Sequence, residues 1–425
     1  MARRARARRA TLFLSLFCHR RRQVLAEEYD FREARRRTVE LLHTSRFHGI
    51  VRFIIDQKGK TLGTYTIAVL PGDGIGPEVT EQAVHALQTV ASRYGHIFDL
   101  SYALVGVAAI NAEGAAISDA TMKLCQQSDA ILFGAFGDAP PNEGPDSKRH
   151  PANALYRLRK ELELYANLRP IRPLQALLNA STIKAEVLQG TDLLVVRELN
   201  GGLYYGKPSE IRETSQGYEA IDTLIYTEAE IERIVRTACE LARGRRKKVT
   251  SVDKANVLSS SRLWRRTADR VAADYPDVTL EHLLVDSCAM HLIRRPTNFD
   301  VIVTENMFGD ILTDEASMLS ASMGMLPSAS LGTRRTPHGL FGLYEPIHGS
   351  APDIAGQQKA NPIAAILSAA LMLRYAFSLQ QEANAVEAAV ERVVNAGYRT
   401  EDLREVGKKI VGTQEMGRLI IDAIA

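Results

Sequence analysis

Several things are scarce or missing in this chain of 425 residues. It has four cysteines, Cys18, Cys125, Cys239 and Cys288, none in a CxxC spacing, so the sequence suggests neither a zinc site nor a disulfide framework and fits a reducing compartment. No apolar run approaches the roughly 20 residues needed to span a bilayer. The longest near the start, TLFLSLF at 11–17, has seven, which rules out a membrane-spanning reading. There is no lysine before Lys58 and no acid in residues 1–26. No internal repeat or low-complexity linker is present. Nor is there a GxGxxG dinucleotide fingerprint: PGDGIGPE at 71–78 sets Gly72, Gly74 and Gly76 after an apolar run, but Pro77 stands where the third glycine belongs. Pro77 suits the first turn of a helix and Glu78 the positive end of its dipole, so the stretch reads as a tight strand-to-helix turn.

What is present is a large soluble α/β chain. At 45% hydrophobic and 24% charged, it can bury two domains or one two-lobed unit. The net charge of +3 conceals an asymmetry: residues 1–60 carry 14 Arg and 2 Lys against 6 acids, a net of +10, leaving −7 for the rest. This basic extension, 1–61, reads as an upstream segment outside the folded part of the chain, as a transit peptide, or as a nucleic-acid arm. The first reading goes with a cytoplasmic protein and the second with an organelle matrix or stroma.

From residue 62 on, short β-branched runs alternate with helix-period segments. The runs TYTIAVL, DAILFGA, DLLVVRE, KKVTSVD, VTLEHLLV and DVIVTEN predict strands. Helices are expected at 77–93, 153–163, 227–243, 259–274 and 305–323, with more after 361. Gly and Pro cluster at 134–151 and 324–362, marking long loops of the kind that carry function.

Four constellations bear chemistry. Arg159 and Arg169 lie in LRKELELYANLRP, and Arg197 in VVRELNGGLYYG. Guanidinium groups bind carboxylates in bidentate fashion, so three in one cleft suit a di- or tricarboxylate, while the plain alternative is three surface arginines. Tyr204, in a Gly-flanked turn, is a proton donor or packing. Lys254 in SVDKANVL and Asp286 in HLLVDSCAMHL each follow a β-like run; Lys254 is a base with a lowered pKa or a snorkelling side chain. In NMFGDILTDEAS, Asp310 and Asp314 share one helix face, where like charges repel unless a cation lies between them, and hard oxygens select magnesium or manganese. The loop in YEPIHGSAPDIAGQQKANP can cradle phosphates without a Rossmann fingerprint.

VLPGDGIGPEV, LRKELELYANLRP, VRELNGGLYYG, SVDKANVL, FGDILTD and HGSAPDIAG, in this order, resemble the β-decarboxylating hydroxy-acid dehydrogenases of the isocitrate/isopropylmalate family, most closely the members acting on 3-isopropylmalate. The resemblance covers residues 64–425. It implies an α/β, two-domain fold with a helix-flanked sheet in each domain: a cofactor-side domain of 62–164 plus 322–425, and a substrate, metal and dimerisation domain of 165–321. It also implies NAD-dependent oxidation and decarboxylation of 3-isopropylmalate to 4-methyl-2-oxopentanoate in a homodimer with shared active sites, with no role for nucleic acid or membrane.

Residue by residue, the resemblance makes Arg159, Arg169 and Arg197 the carboxylate clamps. Asp310 and Asp314, with Asp286 of the partner subunit, become ligands of Mg²⁺ or Mn²⁺, and Asp286 also meets the substrate. Lys254 becomes the partner-subunit base and Tyr204 the acid. Leu155 and Val257 border the substrate side chain; Asn256 and Ile75 border the nicotinamide. His348, Gly349, Ser350, Ala351, Pro352, Asp353, Ile354 and Asn361 hold the adenosine half, where the Asp353 carboxylate would repel a 2′-phosphate and so select NAD. One departure concerns the side-chain pocket: Ala152 replaces the expected Glu, Tyr156 replaces a leucine, and Asn153 can meet a polar group. Isocitrate, homoisocitrate, tartrate and malate therefore remain as alternatives. A non-catalytic regulatory subunit is the reading of another class, and the presence of Lys254, Asp286, Asp310 and Asp314 weighs against it.

Overall fold

The computed structural model describes residues 54–55, 61–137 and 150–424. The basic extension lies outside the described residues, except that Ile54–Ile55 pairs antiparallel with Thr61–Leu62. Most of the Gly/Pro cluster at 134–151 also lies outside them.

Ten strands form one mixed sheet. In chain order they are β1 (Thr64–Gly72), β2 (Ile97–Tyr102), β3 (Ala130–Ala135), β4 (Ala166–Ile171), β5 (Leu193–Glu198), β8 (Lys248–Asp253), β9 (Thr279–Leu284), β10 (Val301–Thr304), β11 (Pro327–Arg335) and β12 (Leu340–Pro346); β6 (Glu210–Thr214) and β7 (Gly217–Ile221) make a separate hairpin. The order across the sheet is β9-β8-β10-β5-β4-β11-β12-β3-β1-β2. All neighbours in the two wings are parallel, whereas β5–β4, β4–β11 and β11–β12 are antiparallel. The α/β class holds, but the two sheets expected, one per domain, are joined into one. The expected domain boundaries fall between β4 and β11, and those strands are hydrogen-bonded, Leu168 opposite Ala329.

Side-chain alternation along the central strands explains where a cleft forms, because successive residues point to opposite faces. Leu168, Leu194, Val196, Val303, Ala329, Leu331 and Tyr344 point to one face and join a continuous core. Onto this face pack the helices α1 (Gly76–Tyr94), α5 (Glu228–Arg243), α6 (Ser259–Ala272), α9 (Ile363–Tyr375), α10 (Gln380–Asn395) and α11 (Thr413–Ala423). The other face carries two separate cores. One, around Leu70, Phe133 and Leu343, lies under α2 (Val107–Glu113), α3 (Asp119–Gln127) and α4 (Asn153–Glu161). The second, around Val195, Val252 and Ile302, lies under α7 (Val285–Arg294) and α8 (Asn306–Ser317). Between them the same face presents Asn167, Arg169, Arg197, Ser328, Ser330 and Glu345, all buried and all polar. Apolar helices cannot seal over that stripe without stranding its charges, so it remains the floor of a cleft.

The turn at 71–78 is a fixed joint. Gly72 and Gly74 have φ of +76° and +56°, a region that glycine enters without strain. The Ile75 N–H donates to Ser350 O at 2.8 Å, and the Asp73 carboxylate accepts from the N–H groups of Val107, Ala108 and Gly137 at 2.8–2.9 Å. The turn is thereby tied to the loop that starts at His348.

Candidate active site

A cavity of about 220 Å³ opens over the polar stripe, with Arg159, Arg169, Arg197, Tyr204, Asp310, Asp314, Ser328 and Glu345 in its wall. Arg159 comes from α4, whose amphipathic pattern buries Leu155 and Leu158 and carries the guanidinium in with them. Arg169 and Arg197 occupy matching faces of β4 and β5, and Asp310 and Asp314 lie one turn apart on α8.

These charges meet in pairs. Arg159 donates to Glu345 at 3.2 Å with both side chains almost fully buried. Arg197 bonds Asp310, and Arg169 lies 3.5 Å from Asp314 and donates to the Thr313 hydroxyl at 2.6 Å. Asp310 and Asp314 thus meet guanidinium groups in this chain, which offsets their mutual repulsion without a cation between them. Burial and the neighbouring Arg197 lower the Arg169 pKa to about 10. Burial pushes the Asp310 carboxyl up, but Arg197, the Tyr204 hydroxyl and Arg169 outweigh it and hold it below the usual carboxylate range. Burial moves Asp314 upward. Three guanidiniums and three carboxylates leave the wall without net charge.

The Tyr204 hydroxyl donates to Asp310 at 2.9 Å. Burial and the Asp310 charge push its pKa up, so the phenol keeps its proton at neutral pH and is a donor. Leu155, Tyr156 and Ala152 form the apolar side of the cavity, and the Tyr156 ring packs edge-on against Tyr205.

His348 and Gly349 close one end. The His348 Nδ1 faces Gly349 O at 3.0 Å and must carry the proton there. Nε2 is then a buried acceptor with no protein partner, a position for a ligand donor. Gly349 has open space where a Cβ would sit. Pro352 and Asp353 are exposed, and Ala351 and Ile354 are partly buried against the main core.

Other expected site residues are placed elsewhere. Ile75 is 5% exposed and packed in the main core, and its backbone N–H bonds the Ser350 loop. The Asn361 side chain is taken up internally, donating to Asp402 at 3.0 Å and capping the Ile363 N–H. Ser350 is buried beneath the turn at Gly74. Lys254 and Asp286 bond one another, and neither they nor Asn256 and Val257 line the cavity. Among the described residues, no three His, Cys, Asp or Glu side chains of one chain are grouped to hold a metal ion.

Residue-type reasoning missed Glu345, Ser328, Thr313 and Asn306. Glu345 did carry a signal: it is the one charged residue in the strand LFGLYEP. The others are small polar residues whose meaning comes only from the strands and helix around them.

A profile described as isocitrate/isopropylmalate dehydrogenase matches residues 66–420. The chain belongs to the isocitrate/isopropylmalate dehydrogenase family. It is 58% identical to the 3-isopropylmalate dehydrogenase of Geobacillus kaustophilus over 364 residues, covering 85% of this chain and 96% of that one. The 3-isopropylmalate dehydrogenase of Moorella thermoacetica is 57% identical, with 84% and 98% covered. Among solved structures of the family, the isocitrate dehydrogenase of Methylococcus capsulatus superposes with a TM-score of 0.75 at 32% identity, covering 85% of this chain and 99% of that one. A β-decarboxylating dehydrogenase of Thermococcus kodakarensis gives 0.68 at 37%, covering 85% and 96%.

Proposed function

We propose that the chain oxidises 3-isopropylmalate with NAD and releases one carboxylate as carbon dioxide, yielding 4-methyl-2-oxopentanoate and NADH in leucine biosynthesis. The observation that carries this reading is the charge-balanced cavity wall, with three arginines and three acids beside an apolar side at Leu155. A dicarboxylate accompanied by a divalent cation enters such a wall as a neutral pair, so neither brings an uncompensated charge into a buried site. Relatives named 3-isopropylmalate dehydrogenase, 53–58% identical, support the choice of substrate.

In this reading Arg159, Arg169 and Arg197 take the substrate carboxylates, exchanging their present acidic partners for them. Asp310, Asp314 and Asp286 of the partner subunit would hold Mg²⁺ or Mn²⁺; they are hard oxygen donors, and Asp310 and Asp314 face the cavity. Bound there, the ion would favour loss of the hydroxyl proton and accept charge as carbon dioxide departs. Lys254 of the partner subunit takes the hydroxyl proton, and Tyr204 returns one to the enol. The loop 348–361 takes the adenosine half of NAD, with the orphaned His348 Nε2 and the exposed Asp353 as its polar groups.

A shared site requires a second copy, and two exposed apolar faces supply the reason for one. Asp286, Met290 and Ile293 fall at i, i+4 and i+7 on α7, as Ile311 and Asp314 do at i and i+3 on α8, with Met318 capping that helix at i+7. Met290 is 62% and Ile311 60% exposed. Asp286 and Asp314 therefore each border an apolar stripe that pairing of two chains would cover.

The test compares NADH formation from 3-isopropylmalate, isocitrate, homoisocitrate, tartrate and malate with Mg²⁺ or Mn²⁺. A lead of about tenfold in kcat/KM for isopropylmalate, roughly 1.4 kcal/mol, is expected. A lead for a more polar acid would instead assign the pocket to Tyr156 and Asn153.

A further inference from the structure

Behind the clamp lies a buried polar network for which the catalytic reading has no use, and its centre is Asn306, 1% exposed at the start of α8. The Asn306 Oδ1 accepts both Arg197 Nε–H at 3.1 Å and Arg197 Nη2–H at 2.9 Å. Its Nδ2 donates to Leu199 O and to Gly201 O, each at 3.2 Å. The amide thus uses two lone pairs and two N–H groups, its full capacity. Only one orientation works, because the reverse would set N–H against guanidinium and oxygen against carbonyls.

The two sets of partners lead to different parts of the site. Arg197 has its remaining nitrogen, Nη1, on Asp310 in the cavity wall. Leu199 and Gly201 belong to the turn that continues through Gly202–Tyr204 to the phenol. Asn306 is itself held from behind: its N–H donates to the Tyr226 hydroxyl at 3.0 Å, and that hydroxyl donates toward Glu198 and Glu305 at 3.2 and 3.4 Å. Glu198 in turn accepts the N–H groups of Asn200 and Gly201 at 2.8 Å, tying the turn a second time. The Tyr226 side chain also crowds the positions of a Cβ on Gly201 and Gly202, with its ring 2.5 Å from the first and its hydroxyl 2.6 Å from the second.

We propose that Asn306 is a positioning residue which holds Arg197 and the turn carrying Tyr204 in one register, so that the carboxylate clamp and the proton donor meet the same substrate. The inference rests on the roles assigned above to Arg197 and Tyr204. Neither aspartate nor alanine reproduces the amide. Asn306→Asp keeps an acceptor for Arg197 but turns oxygen toward Leu199 O and Gly201 O; Asn306→Ala gives up both sides.

The test is steady-state kinetics of the wild type and both variants with 3-isopropylmalate, NAD and Mg²⁺, per mole of folded protein. For Asn306→Ala, KM should rise and kcat fall, each roughly tenfold or more, since a misplacement of about 1 Å can cost a hundredfold. For Asn306→Asp, kcat should fall by a similar factor while KM stays within about threefold, the guanidinium still being held. A purely structural role would lower only the folded fraction, and wild-type KM and kcat in the folded variants would overturn the proposal. If Asn306→Ala does not fold, Asn306→Asp decides. If neither folds, Tyr226→Phe, which removes only the hydroxyl behind the amide, must lower kcat, and unchanged kinetics there would also refute it. An inactive wild type would strike the functional reading, whereas an active wild type with unaltered variants strikes only this one.

Discussion

At the scale of single residues, the site is built from charges that the fold has already neutralised. Arg169 and Arg197 are both buried, and burial with a neighbouring guanidinium, Arg197 for the first and Arg159 for the second, raises the cost of each charge; Asp310 and Asp314 offset it. Lys254 is different. It lies outside the cavity with its ammonium on Asp286, so the role proposed for it depends on a second copy. Lys254→Met should lower kcat by roughly 10²–10⁴, the usual contribution of a positioned acid or base, while leaving NAD binding intact by fluorescence titration. Retention of full activity would remove Lys254 from the chemistry. Tyr156 can be tested in the opposite direction. Its hydroxyl borders an otherwise apolar wall, so Tyr156→Leu should raise the preference for isopropylmalate over malate by about tenfold, the scale set by one polar-to-apolar exchange in a pocket.

At the scale of elements, the six strands legible from their β-branched runs are all present, as are the helices expected at 77–93, 153–163, 227–243 and 259–274, within a few residues at each end. The helix expected at 305–323 ends as an α-helix at Ser317 and breaks into short turns. The overlooked strands β4, β11 and β12 are the central ones, and for β4 and β11 the reason is functional. In ANLRPI and PSASLGTRR, Asn167, Arg169, Ser328 and Ser330 face the cleft, so the apolar pattern that signals a strand is interrupted where the site is built. The edge strand β2, IFDLSY, was missed for a different cause, since it is half solvated. The Gly-rich turn offers a test at this scale. A Cβ on Gly74 would stand 2.0 Å from Ser350 O, with φ at +56°, whereas Gly114, at +80°, has nothing within 4 Å. Both alanine substitutions should cost about 1–2 kcal/mol of stability for the left-handed backbone. Only Gly74→Ala should also raise the KM for NAD, because only there must the 348–361 loop move. Equal NAD affinity in the two variants would separate the turn from the cofactor.

At the scale of the whole molecule, Arg159, Arg169, Arg197 and Tyr204 line the cavity of one chain, whereas Lys254 and Asp286 do not. Residue types and spacing alone could list these residues but not show this separation, which entered only through the family resemblance, because it depends on where β8 and α7 place them. The arrangement makes a definite prediction for mixed dimers. Lys254→Met and Tyr204→Phe should each be nearly inactive alone. If the two are unfolded together and refolded as a mixture, half the dimers should be mixed by random pairing, and in a two-fold assembly each of these has one site carrying both damaged residues and one carrying neither. Activity should return to about a quarter of the wild-type value, half the dimers with half their sites intact. The same mixture prepared without unfolding should stay inactive if subunits do not exchange. Were each site complete within one chain, no mixing could restore it, because every chain would carry its own lesion. Recovery therefore reports on site sharing directly, and it does so independently of which hydroxy acid proves to be the preferred substrate.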